Sequence, residues 1–518
     1  MNGRLVANFF WAARHCPTLV WAVLVCGTLT CGAQLRGAVY EVGPGRPYAT
    51  IGEAPWESLQ PGDIVLIHWR PEPYPEKWVL CRQGTADEPI VVRGVPGPEG
   101  ELPVIEGNGA RTPERLRYWN EVRGILKIGG ASFPPDTMPR HLVVEGLEFR
   151  GARPPNSFTA ANGSLQRYSN NAAAIYVEKG EHVTIRNCIL RDSGNGLFIG
   201  SVANQPSKDF LITGNFIYGN GNAGSGFEHN NYSAAVGIVF EYNRFGPLRP
   251  GAIGNNLKDR SAGLVVRYNW IEGGNRQLDL VDAEGGSLIA NDASYRATYV
   301  YGNILIEPEG AGNRQIIHYG GDSADPAGYR KGFLYLYHNT IISTRTDRTT
   351  LLRLSTNQEA SDVRNNIVYV TAPGNTLSLL DTAGTLYLSR NWFKPGQVVS
   401  FGSFSGSVHD DGSSVLGTEP GFVGLAEQDF RLLASSEALD QGFPLHPEVP
   451  DLHAVTRQYE KHQRGQDRPQ EGPADLGAFE FSSPIVHRLR VPAARRLYES
   501  VFFRIPPSWR MKHLSVRR

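Results

Sequence analysis

Val183-Thr184-Ile185-Arg186-Asn187-Cys188-Ile189 and Leu264-Val265-Val266-Arg267-Tyr268-Asn269-Trp270-Ile271 share one pattern: apolar residues in alternation, an asparagine, then one or two more apolar residues. The same frame surrounds Asn215, Asn243, Asn303, Asn339, Asn366 and Asn391, so eight asparagines return at steps of 28, 28, 26, 34, 36, 27 and 25 residues. A unit of that size cannot bury an apolar face alone and must stack on its neighbours, which predicts a solenoid. Period-2 alternation makes the repeating element a strand, and clusters such as Gly219-Asn220-Gly221-Asn222 and Glu272-Gly273-Gly274-Asn275 are turns. Strands stacked coil upon coil in one direction form parallel sheets, and an asparagine at a fixed corner can bond the amides above and below it. The expected fold is therefore all-β, a single-stranded parallel β-helix with an internal Asn ladder. The two long steps require residues looped out of a coil, and the polar, Gly-rich stretches 283–297 and 320–331 have that character. Such loops are where a solenoid builds its binding walls.

The chain of 518 residues fits one large repeat array, because each coil contacts only its neighbours and the array grows without a second core. A formal net charge of zero argues against a general nucleic-acid binder, and 58 Gly and 35 Pro make the chain turn-rich. Residues 1–33 read as an export signal: Arg4 and Arg14 precede an apolar run from Leu19 to Leu29, followed by Cys31-Gly32-Ala33. That run is short for a membrane span, so a secreted or periplasmic protein with no transmembrane anchor after cleavage is expected. Cys81 and Cys188 remain outside it, and Cys188, in an apolar slot beside the ladder, is read as a small hydrophobe rather than half of a disulfide. The β-helix domain spans 34–481. A tail, 482–518, carries nine Lys/Arg against one Glu from 484 onward and is read as a cover for the open end of the solenoid.

The opening succession Tyr40-Glu41-Val42-Gly43-Pro44-Gly45-Arg46-Pro47-Tyr48, Pro61-Gly62-Asp63-Ile64-Val65 and Pro103-Val104-Ile105-Glu106-Gly107, with the closing segments Asp429-Phe430-Arg431-Leu432 and Asp475-Leu476-Gly477-Ala478-Phe479-Glu480, resembles secreted bacterial right-handed parallel β-helix proteins of the pectate lyase-like superfamily. The resemblance spans roughly residues 38 to 481 and implies a right-handed helix. It leaves the chemistry open, because function on such a scaffold lives in its site.

Unusual polar residues concentrate between His229 and His318. Gly254-Asn255-Asn256-Leu257-Lys258-Asp259-Arg260-Ser261 is followed one coil later by Asn275-Arg276-Gln277-Leu278-Asp279-Leu280-Val281-Asp282 and then by Asn313-Arg314-Gln315-Ile316-Ile317-His318-Tyr319. Aligning Leu257, Leu278 and Ile316 as inward residues sets Lys258 level with Asp279, and Asp259 level with His318. Lys258 resembles the lysine base of β-helix lyases, where a Lys followed closely by Ser removes the proton beside a uronate carboxylate, helped by an Arg and often by calcium. Here Asp259 and Arg260 intervene before Ser261, and no calcium-ligand pattern is recognisable. β-Elimination needs a base and positive charge near the substrate carboxylate. Lys258, Arg260, Asp279 and His318 are the expected catalytic residues, with His229, Arg276, Asp282, Arg314 and Tyr319 binding an anionic polysaccharide; a monomer is expected. Two alternatives stand beside the lyase. Asp279 and Asp282 could be the carboxylate pair of a glycoside hydrolase, or the protein could bind glycans without changing them through aromatics such as Tyr232 and Tyr319.

Overall fold

The computed structural model describes residues 37–202, 204–283, 287–470 and 472–482. The expected export signal and all but the first residue of the basic tail lie outside them.

Three long sheets of 13, 11 and 10 strands carry the fold, and each gains one strand per coil. A representative coil places Ala262–Arg267 in the first sheet, Trp270–Glu272 in the second and Leu278–Leu280 in the third. Their successors, Ala297–Tyr301, Ile304–Glu307 and Gln315–Tyr319, pair with them in parallel. This is the all-β parallel β-helix expected from the repeats, right-handed as the resemblance implies. Alternate strand residues point into the coil, where Leu264, Val266, Ile271, Leu278 and Leu280 are all fully buried in one continuous core. The two long steps are explained as expected: extra residues leave the coil between the third sheet and the next strand of the first, at 281–296 and 320–331.

The asparagines line the corner between the first and second sheets. From Asn215 to Asn391 each side-chain amide donates to the Oδ1 of the next rung at 2.9–3.0 Å. The backbone N–H of each rung donates to the same oxygen, and the amide's second hydrogen reaches a carbonyl one coil back, as in Asn303 Nδ2 to Val266 O at 2.9 Å. Every rung follows a residue in the left-handed region, including Tyr268 (φ 54°), Gly302 (φ 65°), His338 (φ 50°) and Asn365 (φ 58°), which turns the chain through the corner.

One rung differs from the sequence reading. Asn187 is exposed and itself occupies the left-handed corner position (φ 52°), while Cys188 takes the ladder place, its N–H donating to Asn215 Oδ1 at 2.9 Å. The left-handed region tolerates asparagine well, so an asparagine one residue early imitates a rung in a count of spacings. Cys81 and Cys188 are both free and buried.

The outward faces of the sheets are treated differently. On the second sheet, outward Trp270, Ile304, Ile342 and Trp392 lie under Phe430, Leu432, Tyr459 and Leu476 of the closing segment. Beside the first sheet, Tyr268, Tyr301, Tyr335 and Tyr337 pack with Leu445, Val449 and Val455. The closing segment thus seals two faces with apolar contacts, each buried side chain contributing about 1.5–3 kcal/mol. The third sheet meets the looped-out segments 281–296 and 320–331 instead, and its outward side chains there, Lys258, Asp279 and His318, are polar.

Candidate functional site

Strand register runs one outward column along the third sheet: Lys127, Tyr176, Phe198, Tyr232, Lys258, Asp279, His318 and Arg353, each opposite the next. The first half is aromatic, with Phe198 and Tyr232 stacked at 4.9 Å and 2°. The second half is charged. Parallel strands set these side chains about 4.8 Å apart, so three different chemical groups meet without any of them being near the others in sequence.

Asp279 is the hub. Its Oδ2 accepts from Lys258 Nζ and from Asn255 Nδ2, both at 2.6 Å, and its Oδ1 faces His318 Nδ1 at 2.8 Å and Arg276 Nη1 at 3.6 Å. Burial alone would raise this carboxyl, but the His318 hydrogen bond and the Lys258 and Arg276 charges outweigh it and hold Asp279 well below the usual carboxylate range. An ionised Asp279 can only accept, so His318 carries its proton on Nδ1 and presents the Nε2 lone pair on its far side. Burial lowers the His318 imidazole, against the opposing pull of Asp279. Nε2 lies 2.9 Å from Ser355 Oγ.

Above the column, the 320–331 segment contributes Asp322. Its two oxygens are divided between Lys258 Nζ and Arg260 Nη2, the latter at 2.8 Å, so two cations from one strand form a fork around a carboxylate. Burial alone would raise the Asp322 carboxyl, but Lys258 and Arg260 together outweigh it and hold it below its ordinary value. Arg330 anchors the far end of the segment: it is fully buried and donates to Val281 O at 3.0 Å, Ser261 O at 2.8 Å and Asp259 Oδ1 at 3.2 Å.

The structure brings Lys258, Arg260, Arg276, Asp279, Asp282 and His318 together and separates others. Lys258 does pair with Asp279, but His318 is level with Asp279 and not with Asp259, because Leu278 pairs with Ile317 rather than Ile316. The repeated Asn-Arg-Gln phrase is slipped by one residue between the two coils, and one residue reverses inside and outside. Asp259 and Tyr319 consequently face the interior. Asp259 is buried among Ser233, Ser261 and Arg330, and Tyr319 lies in the apolar core, so Tyr319 has no route to a ligand. Arg314 is exposed at the coil edge, away from the ion-pair cluster. Asp282 Oδ1 accepts the backbone N–H of Asp322 at 2.7 Å and lies 3.5 Å from Arg260; it holds the segment rather than facing Asp279 as half of a carboxylate pair. Tyr232 belongs to the column and is buried, with Arg260 5.7 Å above its ring. His229 sits beside it, its Nδ1 accepting from Asn255 N at 2.9 Å; burial first, then Lys258, pushes this imidazole down to about 3.

Ser355 and Asp322 carry no signal in the sequence. Both stand in ordinary turn contexts, Leu354-Ser355-Thr356-Asn357 and Gly321-Asp322-Ser323, and only the register across coils places them. Among the described residues, no group of three or more His, Cys, Asp and Glu side chains is arranged to hold a metal ion. The acids of the cluster are taken up by cations, so the side chains present do not fit calcium. A cavity of about 630 Å³ lies elsewhere, lined in part by Arg70, Glu76 and Arg115. There Glu76 accepts the N–H groups of Ile51 and Gly52, and Arg115 pairs with Glu57, so those groups serve the opening turn.

The parallel β-helix expected from the repeats is also what comparison with known families finds. The family model described as right handed beta helix region matches residues 164–325, which contain most of the column. Similar solved structures include pectate lyase Pel9A, 12% identical over 86% of this chain and 96% of its own with a TM-score of 0.47. An alginate lyase from Paenibacillus sp. str. FPU-7 is 15% identical over 65% and 94%, with a TM-score of 0.41. A GH136 lacto-N-biosidase from Eubacterium ramulus is 12% identical over 73% and 67%, with a TM-score of 0.35. No curated protein matches the chain. No helix among the described residues is long and apolar enough to cross a membrane.

Proposed function

We propose that the protein is an extracytoplasmic enzyme that cleaves an acidic, uronate-containing polysaccharide by β-elimination on the outward face of the third sheet. The observation that carries this reading is the fork of Lys258 and Arg260 around a carboxylate. Its present occupant, Asp322, has a side chain about one-third exposed on a looped-out segment, whereas the cations beneath it are buried. A uronate carboxylate that replaces Asp322 keeps one oxygen on Arg260 and turns its α-carbon hydrogen toward Lys258 Nζ. Lys258, once deprotonated, takes that proton as the C4–O glycosidic bond breaks and the C4–C5 double bond forms; the departing oxygen then receives the proton from Lys258, and Asp279 holds the amine in position. Arg260 and Arg276 draw charge from the carboxylate and so acidify the same carbon.

The glycoside hydrolase reading has less support, because Asp279 is kept ionised and such a pair needs one carboxylic acid that keeps its proton. Incubation with alginate, pectate, glycosaminoglycans and bacterial exopolysaccharides, read both by ultraviolet absorbance of unsaturated uronate and by reducing ends, tests the proposal. Absorbance rising in step with reducing ends supports elimination. Reducing ends alone mean hydrolysis, and binding with neither signal means a non-catalytic glycan-binding protein. Lys258→Ala should lower the lyase rate by roughly 10²- to 10⁴-fold, the usual loss when a positioned proton acceptor is removed. Normal turnover in that variant would overturn the assignment of the base.

A further inference from the structure

The proton acceptor in the elimination reading is Lys258, and it leaves Ser355 without a part. Ser355 Oγ lies 2.9 Å from His318 Nε2, and His318 Nδ1 lies 2.8 Å from Asp279 Oδ1. The three residues come from successive coils of the third sheet: Asp279 and His318 are paired across neighbouring strands, and Ser355 follows the next strand, Thr349–Leu354. Asp279 and His318 are 1% and 2% exposed, while Ser355 at the end of the relay is partly exposed. A buried acid, an imidazole oriented by it, and a more accessible hydroxyl on the second ring nitrogen is the order of groups that activates a serine nucleophile.

The backbone around Ser355 is shaped for close approach. Gly321 N–H donates to Ser355 Oγ at 2.9 Å, and the hydroxyl proton of Ser355 has two acceptors at 2.9 Å, His318 Nε2 and Gly321 O. Gly320 has φ +133°, and a Cβ there would lie 2.6 Å from Ser355 Oγ. A side chain at 320 would therefore occupy the space at the nucleophile, and a Cβ at 321 would meet the Tyr329 ring at 2.1 Å. The two glycines let the backbone lie against the hydroxyl, with one N–H donor beside the oxygen.

We propose that Ser355, His318 and Asp279 form a second catalytic centre, a serine-dependent hydrolase of small O-acyl esters. Placing the ester on a sugar of the same glycan rests on the polysaccharide reading above; the acyl-transfer chemistry does not. Ser355 Oγ attacks the ester carbonyl carbon while its proton passes to His318 Nε2. The oxyanion accepts the Gly321 N–H. When the C–O bond to the alcohol breaks, the departing oxygen takes the proton back from Nε2. Water, deprotonated in turn by Nε2, then attacks the acyl-Ser355 carbonyl and releases the carboxylic acid, so that ester and water become acid and alcohol and Ser355 is restored. Asp279 keeps the imidazole in the required tautomer throughout.

The test uses the full folded chain, a fluorophosphonate probe and p-nitrophenyl acetate. The probe should attach to Ser355, located by peptide mass spectrometry, and Ser355→Ala should release p-nitrophenol on the order of 10³-fold more slowly than the parent. The hydrolysis rate should persist at pH values below the usual imidazole range, because burial keeps His318 neutral there. Gly320→Ala should slow probe attachment, because its Cβ would press on Ser355 Oγ and Cβ. Should Ser355→Ala not fold, Ser355→Cys keeps the shape, and its alkylation by iodoacetamide should slow when His318→Gln is added; equal rates with and without His318 would overturn the proposal. An unlabelled Ser355 in folded protein, labelling confined to another residue, or equal ester hydrolysis by Ser355→Ala and the parent would overturn the proposal. Neither readout uses a polysaccharide, so failure here and failure of the elimination reading are separate results.

Discussion

Two buried polar stacks run along this solenoid, one residue per coil, and they differ in what their neighbours are. At the corner between the first and second sheets, Asn215 to Asn391 repeat one residue and one bonding scheme, and between the two end rungs every amide oxygen accepts twice and every amide nitrogen donates forward and back. On the outward face of the third sheet, each coil contributes a different residue, and Lys258, Asp279 and His318 meet cations, anions and a hydroxyl. Repetition serves the fold: an identical group on every coil satisfies its neighbours wherever the stack is entered. The heterogeneous column cannot be extended by another copy of itself, and its members hold charge and protons where the ladder holds only hydrogen bonds. Substitutions should separate the two stacks by what they damage.

The largest effect on stability is expected in the ladder. Asn303→Ala removes the acceptor for Asn269 N and Nδ2 and the donor to Val266 O, all fully buried. With each orphaned group costing about 1–3 kcal/mol, a loss on the order of 4 kcal/mol is expected from the denaturant midpoint, with ester and polysaccharide chemistry unchanged in the protein that remains folded. A loss under about 1 kcal/mol would mean that water replaces the rung and that the ladder is not what aligns the coils.

In the column, Asp279→Asn keeps the shape and removes the charge. Lys258 and His318 are then left facing a neutral amide in a buried site, which should cost about 2–3 kcal/mol and abolish both proposed activities. The charged hub's contribution has a definite sign with pH. Its folded pKa is depressed, so its stabilisation is present above the ordinary carboxylate pKa and is lost as acid titrates the folded group.

The repeat and the fold were legible in sequence because the same side chain must solve the same corner problem on every coil, so spacing alone reveals it. Lys258 opposite Asp279 was also legible, since Leu257 and Leu278 begin both strands in the same way. His318 was set level with Asp259 instead of Asp279, and Tyr319, expected at the binding face, lies in the core, because Asn313-Arg314-Gln315 imitates Asn275-Arg276-Gln277 one residue out of step. Ser355 and Asp322 were not legible at all. Asp322 reaches the column through a loop whose path depends on Arg330, buried against Asp259, and Ser355 follows the end of a strand three coils' register away; no local pattern records where either meets the column.

Acidification should distinguish the stacks more gently. Burial depresses His229 to about 3 and His462 to about 3, so between pH 6.5 and 3 the unfolded chain binds protons that the folded chain refuses. The unfolded state then holds more protons, and stability falls as pH falls through that window. One such histidine contributes at most about 1.4 kcal/mol per pH unit, so His229→Gln should flatten the stability curve below pH 6.5 by about that slope. An unchanged slope in the variant would show that His229 takes up a proton in the folded state. The ladder asparagines do not titrate, and Asn303→Ala should shift the whole curve downward without altering its slope.

The smallest effect belongs to the residue that resembles a rung and is not one. Asn187 is exposed at φ 52°, and its backbone N–H donates to Thr213 O at 3.1 Å, a bond that survives any side-chain change except proline. Asn187→Ala should therefore cost only the left-handed penalty of a residue with a Cβ, about 1 kcal/mol, and Asn187→Gly should cost nothing measurable. Asn215→Ala, one coil on, should cost several times more, because its Oδ1 holds Cys188 N and its Nδ2 holds both Ile185 O and Asn243 Oδ1. Cys188→Asn then sharpens the contrast from the other side. The Cys188 position already sends its N–H to Asn215 Oδ1 and lies 3.8 Å through Sγ from Val144 O, so an amide there meets the acceptors that a new first rung requires. If the corner accepts it, the denaturant midpoint rises by an amount worth about 1 kcal/mol, one net hydrogen bond. A fall instead would show that the ladder ends at Asn215 because the preceding coil, with Leu147 packed in the core at its corner, leaves no room for an amide.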